Sequence, residues 1–389
     1  MREWIAYVGP FSFPWGQPGS RRVYGVARSL VECGYDVVVS SGRYLAVREL
    51  LVNTPLGSGV YFEGSGETPE ENASRFSKIK LALWGQGRAT VKWLEEQPTK
   101  PKCIITYGGL SPFMHRVQRW ADSQFIPVIA DVVEWYDGAH MIGGRFGPFH
   151  LSSEIAMRWY FPRCKGVIAI SSFLEKYFSE SCVTTRVPPL VESVRHNFGT
   201  GRSRRGLRII YAGTPGKKDL LGVVIRGLCR VTTDPEKIVL QIIGPSLKDV
   251  ETHFSGKLPA NIEVVGRVPQ QSVSEMLESA DFSVLLRVPE RFAQAGFSTK
   301  FVESMAVGTP VIANLTSDLG IYLRDGENGI VCSGFTEECF AAAIERLLAM
   351  DYADVKSMRI AAVNTAKDFF CSHVYVEQLR EFINRVCAK

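Results

Sequence analysis

Short apolar runs recur along the whole chain, each closed by glycine or followed by a segment of helical spacing. The first are 5–8 (IAYV), 36–42 (DVVVSSG), 103–109 (CIITYGG), 127–135 (PVIADVVEW) and 166–171 (GVIAIS). A second series lies at 207–213 (LRIIYAG), 239–244 (VLQIIG), 261–266 (NIEVVG), 281–287 (DFSVLLR), 310–314 (PVIAN) and 329–332 (GIVC). Runs this short read as buried strands, and helical segments between them make βα units with parallel strands. That alternation restricts the chain to an α/β architecture in which helices cover parallel sheets.

The two series are separated by a stiff stretch, 187–193 (VPPLVES), and a polar, basic one, 196–206 (HNFGTGRSRRG). Together they read as a linker. With 389 residues the chain exceeds one ordinary domain. The expected domains are 1–190 and 191–370, with a last helix in 371–389 returning to the first domain. Hydrophobic residues make up 46% of the chain, enough for a core in each half.

The net charge of +5 suits an anionic ligand or surface and falls far short of a nucleic-acid footprint. Nine cysteines in an odd, scattered set, without a CxxC pair, read as reduced thiols in the cytoplasm. The six histidines (115, 140, 150, 196, 253, 373) stand singly, and there is no Asp-x-Asp, so no metal site is expected. No secretory leader is expected at the N-terminus, and no apolar run approaches the ~20 residues that span a bilayer.

Within the first half, 56–74 reads as an exposed loop, rich in Gly, Ser, Glu and Pro. The stretch 75–94 (RFSKIKLALWGQGRATVKWL) is helical in composition, with lysines and arginines among Leu and Trp. A membrane-surface face is one reading. The expectation is a surface helix whose apolar side packs on the sheet.

Four places carry candidate chemistry. The first is 287–314 (RVPERFAQAGFSTKFVESMAVGTPVIAN): Gly296 frees the backbone, Ser298 and Thr299 open a helix, and Gly308 closes it. Glu303 lies one helical turn past Thr299 and leans back toward that opening. Helix-opening amides with a carboxylate beneath them suit a sugar–phosphate ligand, though a plain βα unit with a solvated glutamate has the same pattern. The second is 212–222 (AGTPGKKDLLG), where Gly213 lets the chain curl at a strand end and Lys217 and Lys218 face the next helix. Ammonium groups beside helix amides suit a diphosphate; solvated lysines at a turn are the plainer reading. The third, Gly16 to Ser20 (GQPGS), departs from the dinucleotide fingerprint and lacks its acidic partner. The fourth is the acidic, aromatic strand end Asp131, Glu134, Trp135 and Asp137, where a carboxylate could orient an acceptor hydroxyl or merely cap a loop.

The segment AGFSTKFVESMAVGTPVIAN resembles the C-terminal signature of glycosyltransferase family 4, retaining nucleotide-sugar enzymes of the GT-B fold. YAGTPGKKDLL resembles the family's phosphate turn, and GRVPQQSVSEMLESADFSVL (266–285) and DGENGIVC (325–332) extend the likeness. The resemblance is specific over 166–335 and generic before it. It implies two Rossmann-like parallel-sheet domains facing an interdomain cleft, the first on the acceptor side and the second binding nucleotide-sugar.

The resemblance further implies Glu303 on the nucleotide ribose, Lys218 or Lys217 on the diphosphate, and the loop Gly296, Phe297, Ser298 and Thr299 on phosphate and sugar. Gly16 and Gly19 fall where the family's first loop approaches the diphosphate. Three departures stand out: Ala295 replaces the signature's first glutamate, Thr214 and Pro215 stand where an arginine is usual, and Glu134 lies near a missing histidine. Arg287 or Lys300 could supply the missing positive charge.

The expected activity is retaining, metal-free glycosyl transfer from a nucleotide-sugar, UDP favoured over GDP, to a glycan or glycolipid hydroxyl. No further cofactor is implied. Bacterial surface polysaccharide or glycoconjugate synthesis is the expected setting, in the cytoplasm or peripherally at the inner face of the plasma membrane. The alternatives are a non-catalytic nucleotide or carbohydrate-binding protein and a sugar-nucleotide epimerase.

Overall fold

The computed structural model describes residues 2–388 apart from 16–17, 43, 56, 70–72, 195–205, 214–218 and 255. The chain divides into two compact units. Unit 1 comprises Met1–Leu190, Ala295–Phe297 and Ser372–Lys389; unit 2 comprises Val191–Gln294 and Ser298–Cys371.

Among the described residues, unit 1 carries an eight-stranded sheet. Its strands are β1 (Trp4–Val8), β2 (Asp36–Ser41), β3 (Tyr44–Asn53), β4 (Gly59–Ser65), β5 (Cys103–Tyr107), β6 (Val128–Val132), β7 (Gly166–Ala169) and β8 (Val183–Arg186). The spatial order is β3-β4-β2-β1-β5-β6-β7-β8, parallel throughout except for β3, which runs antiparallel to β4 at one edge. The helix Pro18–Glu32 lays Val23, Ala27 and Leu30 on the sheet, all fully buried, as helical spacing demands. The last helix, Val376–Cys387, adds Leu379, Phe382 and Ile383 to that core. A Cβ on Gly166 would stand 2.7 Å from the Phe382 ring, so only glycine lets this helix lie so close. Each fully buried Leu, Ile or Phe here contributes about 1.5–3 kcal/mol.

Two expectations for unit 1 are corrected. The loop assigned to 56–74 contains β4, whose Val60 is fully buried beside β2. The β-branched and aromatic run Val60, Tyr61 and Phe62 favours the strand, and the surrounding Gly and Ser residues hide it. The stretch 75–94 is not one helix. It is a helix Arg75–Lys80, a wide π turn Leu81–Gly85, and a second helix Arg88–Glu95. Arg75–Lys80 buries no residue, whereas Thr90, Trp93 and Leu94 of the second helix are buried. Gly87, with φ 90°, breaks the run, since left-handed backbone favours glycine.

Unit 2 carries, among the described residues, a six-stranded all-parallel sheet. Its strands are β9 (Leu207–Ala212), β10 (Ile238–Ile243), β11 (Ile262–Gly266), β12 (Phe282–Leu285), β13 (Val311–Asn314) and β14 (Gly329–Cys332), in the order β11-β10-β9-β12-β13-β14. Ile209, Leu240, Phe282, Ile312 and Ile330, one from each of five strands, meet Val224, Ile225 and Phe340 of the covering helices in one core. The order reverses direction after β9, the first strand of the unit. Ligand sites of open α/β sheets form beyond strand carboxyl ends at such a switch.

Candidate functional site

At the carboxyl end of β9 the chain reaches Gly213, with φ 147°. A side chain there would collide with the Lys300 ammonium, so glycine opens the space that Lys300 fills. Gly213 donates its N–H to the Ile243 carbonyl at 2.9 Å, which keeps the turn tied to β10. Lys217 and Lys218, with Thr214 and Pro215, lie outside the described residues, and the chain resumes at Asp219.

Asp219 is the centre of the site. Its carboxylate accepts from Arg287 Nε at 3.0 Å, from the Tyr211 hydroxyl at 3.1 Å and from the Lys300 ammonium. Lys300 also lies over the Tyr211 ring, 5.0 Å from its centre. Arg287 is fixed from behind: Asn314, the last residue of β13, accepts from its backbone N–H and donates to its carbonyl, both at 2.8 Å. Adjacent strands β12 and β13 thus deliver one cation to Asp219, and the next helix delivers another.

Burial raises the Asp219 pKa, but Lys300 and Arg287 outweigh it and hold the carboxyl below the usual range. Burial pushes Lys300 below the usual lysine value, against the pull of Asp219 and the weaker one of Glu303. Burial, then the Asp219 charge, raises Tyr211. The phenol therefore stays protonated and donates to the carboxylate.

The helix Thr299–Ala306 begins beside this cluster, and its cap residue is Ser298. Ser298 is 5% exposed, yet its hydroxyl caps no backbone amide and has no hydrogen-bond partner among the described residues. Buried hydroxyls are nearly always satisfied, so one left without a partner among the described residues, at a helix N-terminus, is a candidate to meet an acceptor from outside the chain. Thr299 opens the helix and Glu303 lies one turn on, half-buried and near enough to Lys300 to act on its charge. Gly308, with φ 70°, ends the helix before β13.

Unit 2 thus brings Gly213, Arg287, Ser298, Thr299, Lys300 and Glu303 into one neighbourhood. Gly296 and Phe297 are buried and group with unit 1. Sequence reasoning missed Asp219, Tyr211 and Asn314. Asp219 directly follows the lysine pair, and that adjacency was the available signal.

Unit 1 holds the other expected residues. Gly16 lies outside the described residues; Gly19 sits in the helix Pro18–Glu32, where a Cβ would stand 2.9 Å from the Tyr107 hydroxyl. Of the acidic strand end, Asp131 is buried and bound to Arg22 (Nη2 to Oδ1, 2.8 Å) and to the Tyr7 hydroxyl. Arg22 also donates to the carbonyls of Val187 and Pro188, at 2.5 and 2.7 Å. Asp131 is therefore a structural carboxylate and is not available to a substrate. Asp137 caps a short turn by accepting from Ala139 N–H at 2.8 Å, and Trp135 donates its indole N–H to Glu154 at 2.7 Å. Glu134 is half-buried at the same strand end.

Residues 206–350 match the family model described as Glycosyl transferases group 1. Over 149 residues the chain is 28% identical to a D-inositol 3-phosphate glycosyltransferase of Rhodococcus jostii (strain RHA1), covering 37% of this chain and 32% of that one. It is 27% identical over 187 residues to the amylovoran biosynthesis glycosyltransferase AmsK of Erwinia amylovora, covering 46% and 45%. The chain spans less than half the length of these curated relatives in the matched regions. Among solved structures it is similar to a sucrose-phosphate synthase from Thermosynechococcus elongatus, with TM-score 0.72, 14% identity and 99% of both chains covered. It is also similar to Anabaena HepE in complex with UDP, with TM-score 0.64, 13% identity and 98% and 99% covered.

The fold is therefore GT-B, built of two Rossmann-like units with mainly parallel sheets. Within it, residues 206–350 carry a glycosyl transferases group 1 segment, and the likeness to glycosyltransferase family 4 holds.

Proposed function

We propose that this chain is a retaining glycosyltransferase that needs no metal. It moves a sugar from a nucleotide-sugar, UDP favoured, to a hydroxyl of a glycan or lipid-linked acceptor. The observation that carries this reading is the orphaned Ser298 hydroxyl at a helix N-terminus, beside the Arg287–Asp219–Lys300 cluster, in the segment that matches the family. The setting we infer is bacterial surface polysaccharide or glycoconjugate synthesis; one relative is named for amylovoran biosynthesis. We place the protein in the cytoplasm or at the inner face of the membrane, with residues 1–190 on the acceptor side.

In this reading the helix amides and Ser298 receive phosphate oxygens, Glu303 accepts from the ribose hydroxyls, and Lys217 or Lys218 meets the diphosphate. Arg287 and Lys300 supply the positive charge that Thr214 and Pro215 cannot. The bond between the sugar's anomeric carbon and the diphosphate oxygen breaks, and a bond from that carbon to the acceptor oxygen forms on the same face. The acceptor proton passes to the leaving diphosphate, and Glu134 orients the hydroxyl. Cations and dipoles fixed where the diphosphate gains charge stabilise the transition state without reorganising.

A second reading, a non-catalytic nucleotide-binding protein, is favoured by Ala295, which puts a fully buried methyl group in place of the signature's first glutamate. One experiment separates the two. The chain is incubated with UDP-, GDP-, ADP- and dTDP-sugars, and both thermal shift and release of free nucleotide are measured. Stabilisation by one nucleotide class together with slow hydrolysis supports the transferase. Stabilisation without any release supports the binding protein, and no stabilisation by any donor overturns both.

A further inference from the structure

The stretch 75–94 buries Leu83, Trp93 and Leu94 but leaves two of its large aromatic side chains in solvent. Phe76, in the helix that buries nothing, is 77% exposed, and Trp84 in the adjoining π turn is 62% exposed. That turn packs against the helix Pro148–Ile155, which exposes Leu151 and Ile155 and runs on into a turn exposing Trp159. The short turn Gly144–Phe146 packs on the same helix and holds Phe146 at 90% exposure. Four large aromatic side chains thus stand out from neighbouring elements of unit 1. Clustered exposure of this kind marks an interaction surface.

The charge on these elements identifies the partner. Residues 75–94 hold five basic residues and no acidic one; Arg75, Lys78, Lys80 and Arg88 are all exposed. Residues 138–165 add Arg145, Arg158, Arg163 and Lys165 against Glu154 alone. The Arg163 guanidinium lies 3.4 Å from the centre of the Trp159 ring. Aromatic rings interleaved with cations match the layer where lipid headgroups meet acyl chains, the rings entering it and the cations meeting phosphates. A second copy of the same face would set cation against cation. Among the described residues no helix is long and apolar enough to cross a membrane, so the contact is with the surface.

We propose that this face of unit 1 docks on an anionic lipid bilayer, through Phe76, Trp84, Phe146 and Trp159 together with the cations of 75–88. Docking there would bring the protein to a lipid-linked acceptor, but the inference does not rest on the transferase reading. The test uses the full chain and vesicles of phosphatidylcholine, with and without phosphatidylglycerol, in a flotation assay without nucleotide. Flotation with the anionic vesicles alone, weakened by salt, is the expected result. Two variants are compared, Phe76→Ser/Trp84→Ser/Phe146→Ser and Lys78→Glu/Lys80→Glu. Each should lose about tenfold or more in vesicle affinity while keeping the wild-type melting temperature. Absence of flotation, equal flotation with neutral vesicles, or variants that float like wild type would overturn the proposal. So would concentration-dependent dimerisation abolished by these variants in a chain that ignores vesicles.

Discussion

Asp219 and Arg287 are joined twice: their backbones form an antiparallel bridge, and Arg287 Nε donates to Asp219 Oδ1 at 3.0 Å. The same carboxylate takes the Lys300 ammonium, so one anion sets the position of both cations. Replacing Asp219 by Asn leaves two cations without their partner and should destabilise unit 2 by about 3 kcal/mol. The pH dependence has a definite sign. The folded-state pKa of Asp219 is depressed, so its contribution is present above the unfolded carboxylate value of about 3.9 and is lost as pH falls through the folded value. Lys300 is depressed too, below about 10.4, so the unfolded chain holds that proton more tightly and stability gains as pH rises through that window. Urea midpoints measured across the acid range should therefore fall more steeply for wild type than for Asp219→Asn.

Ser298 separates folding from binding. Its buried hydroxyl has no partner among the described residues, so Ser298→Ala removes an unsatisfied group and should leave the melting temperature unchanged or raise it slightly. If a donor phosphate meets that hydroxyl, nucleotide affinity should drop by about tenfold in calorimetry, the value of one ordinary hydrogen bond. Unchanged affinity would exclude the hydroxyl from the phosphate site.

The strands were legible because each is a short β-branched or aliphatic run that ends in glycine or a polar turn, as LRIIYAG does at 207–213. The β3–β4 hairpin and β8 were not: glycine and serine around Val60–Phe62 resemble a loop, and β3 and β8 are the two edge strands of their sheet, where burial marks the sequence less. The site was legible where its residues are neighbours in sequence, as Ser298, Thr299, Lys300 and Glu303 are. It was not where folding joins distant positions. Asn314 lies 27 residues from the Arg287 backbone it holds, and Arg22 lies 109 from Asp131. An aspartate at a strand end looks the same in sequence whether it faces substrate or a buried arginine.

Glu303 is placed one turn into the helix that follows Ser298, half-buried. A carboxylate bound to two ribose hydroxyls makes charged hydrogen bonds worth about 1.5–3 kcal/mol each. Glu303→Ala should therefore weaken UDP binding by at least about tenfold, and Glu303→Gln by less. Calorimetry with UDP and with inorganic diphosphate checks the assignment: the loss should appear with UDP and be absent with diphosphate. Equal loss with both ligands would move Glu303 to the phosphate side.

The Arg22–Asp131–Tyr7 group predicts a structural phenotype. All three are buried, Asp131 receives both donors, and Arg22 also ties down the carbonyls of Val187 and Pro188. Burial, reinforced by the Asp131 charge, raises the Tyr7 pKa well above the ordinary tyrosine value, so the phenol remains a donor. Asp131→Asn should destabilise unit 1 by about 3–5 kcal/mol, since it leaves a buried guanidinium uncompensated. Where the variant remains folded at low temperature, KM for donor should be unchanged. A stable variant with raised KM would return Asp131 to the substrate.

Ala295 tests whether this chain has lost the family's first glutamate or packed over its place. Ala295 is fully buried, and its carbonyl accepts from the Ser171 hydroxyl at 2.6 Å. A carboxylate introduced there enters a volume already occupied and is stripped of water, which costs several kcal/mol unless it is paired or protonated. Ala295→Glu should therefore lower the melting temperature by several degrees and leave nucleotide release from donor sugars unimproved, while Ala295→Gly leaves that release near wild type. The measurement is paired: thermal unfolding and release of free nucleotide from the same preparations. A fully stable Ala295→Glu protein with faster release would mean that the site still has room for the carboxylate and that the native alanine limits the grip on the donor sugar.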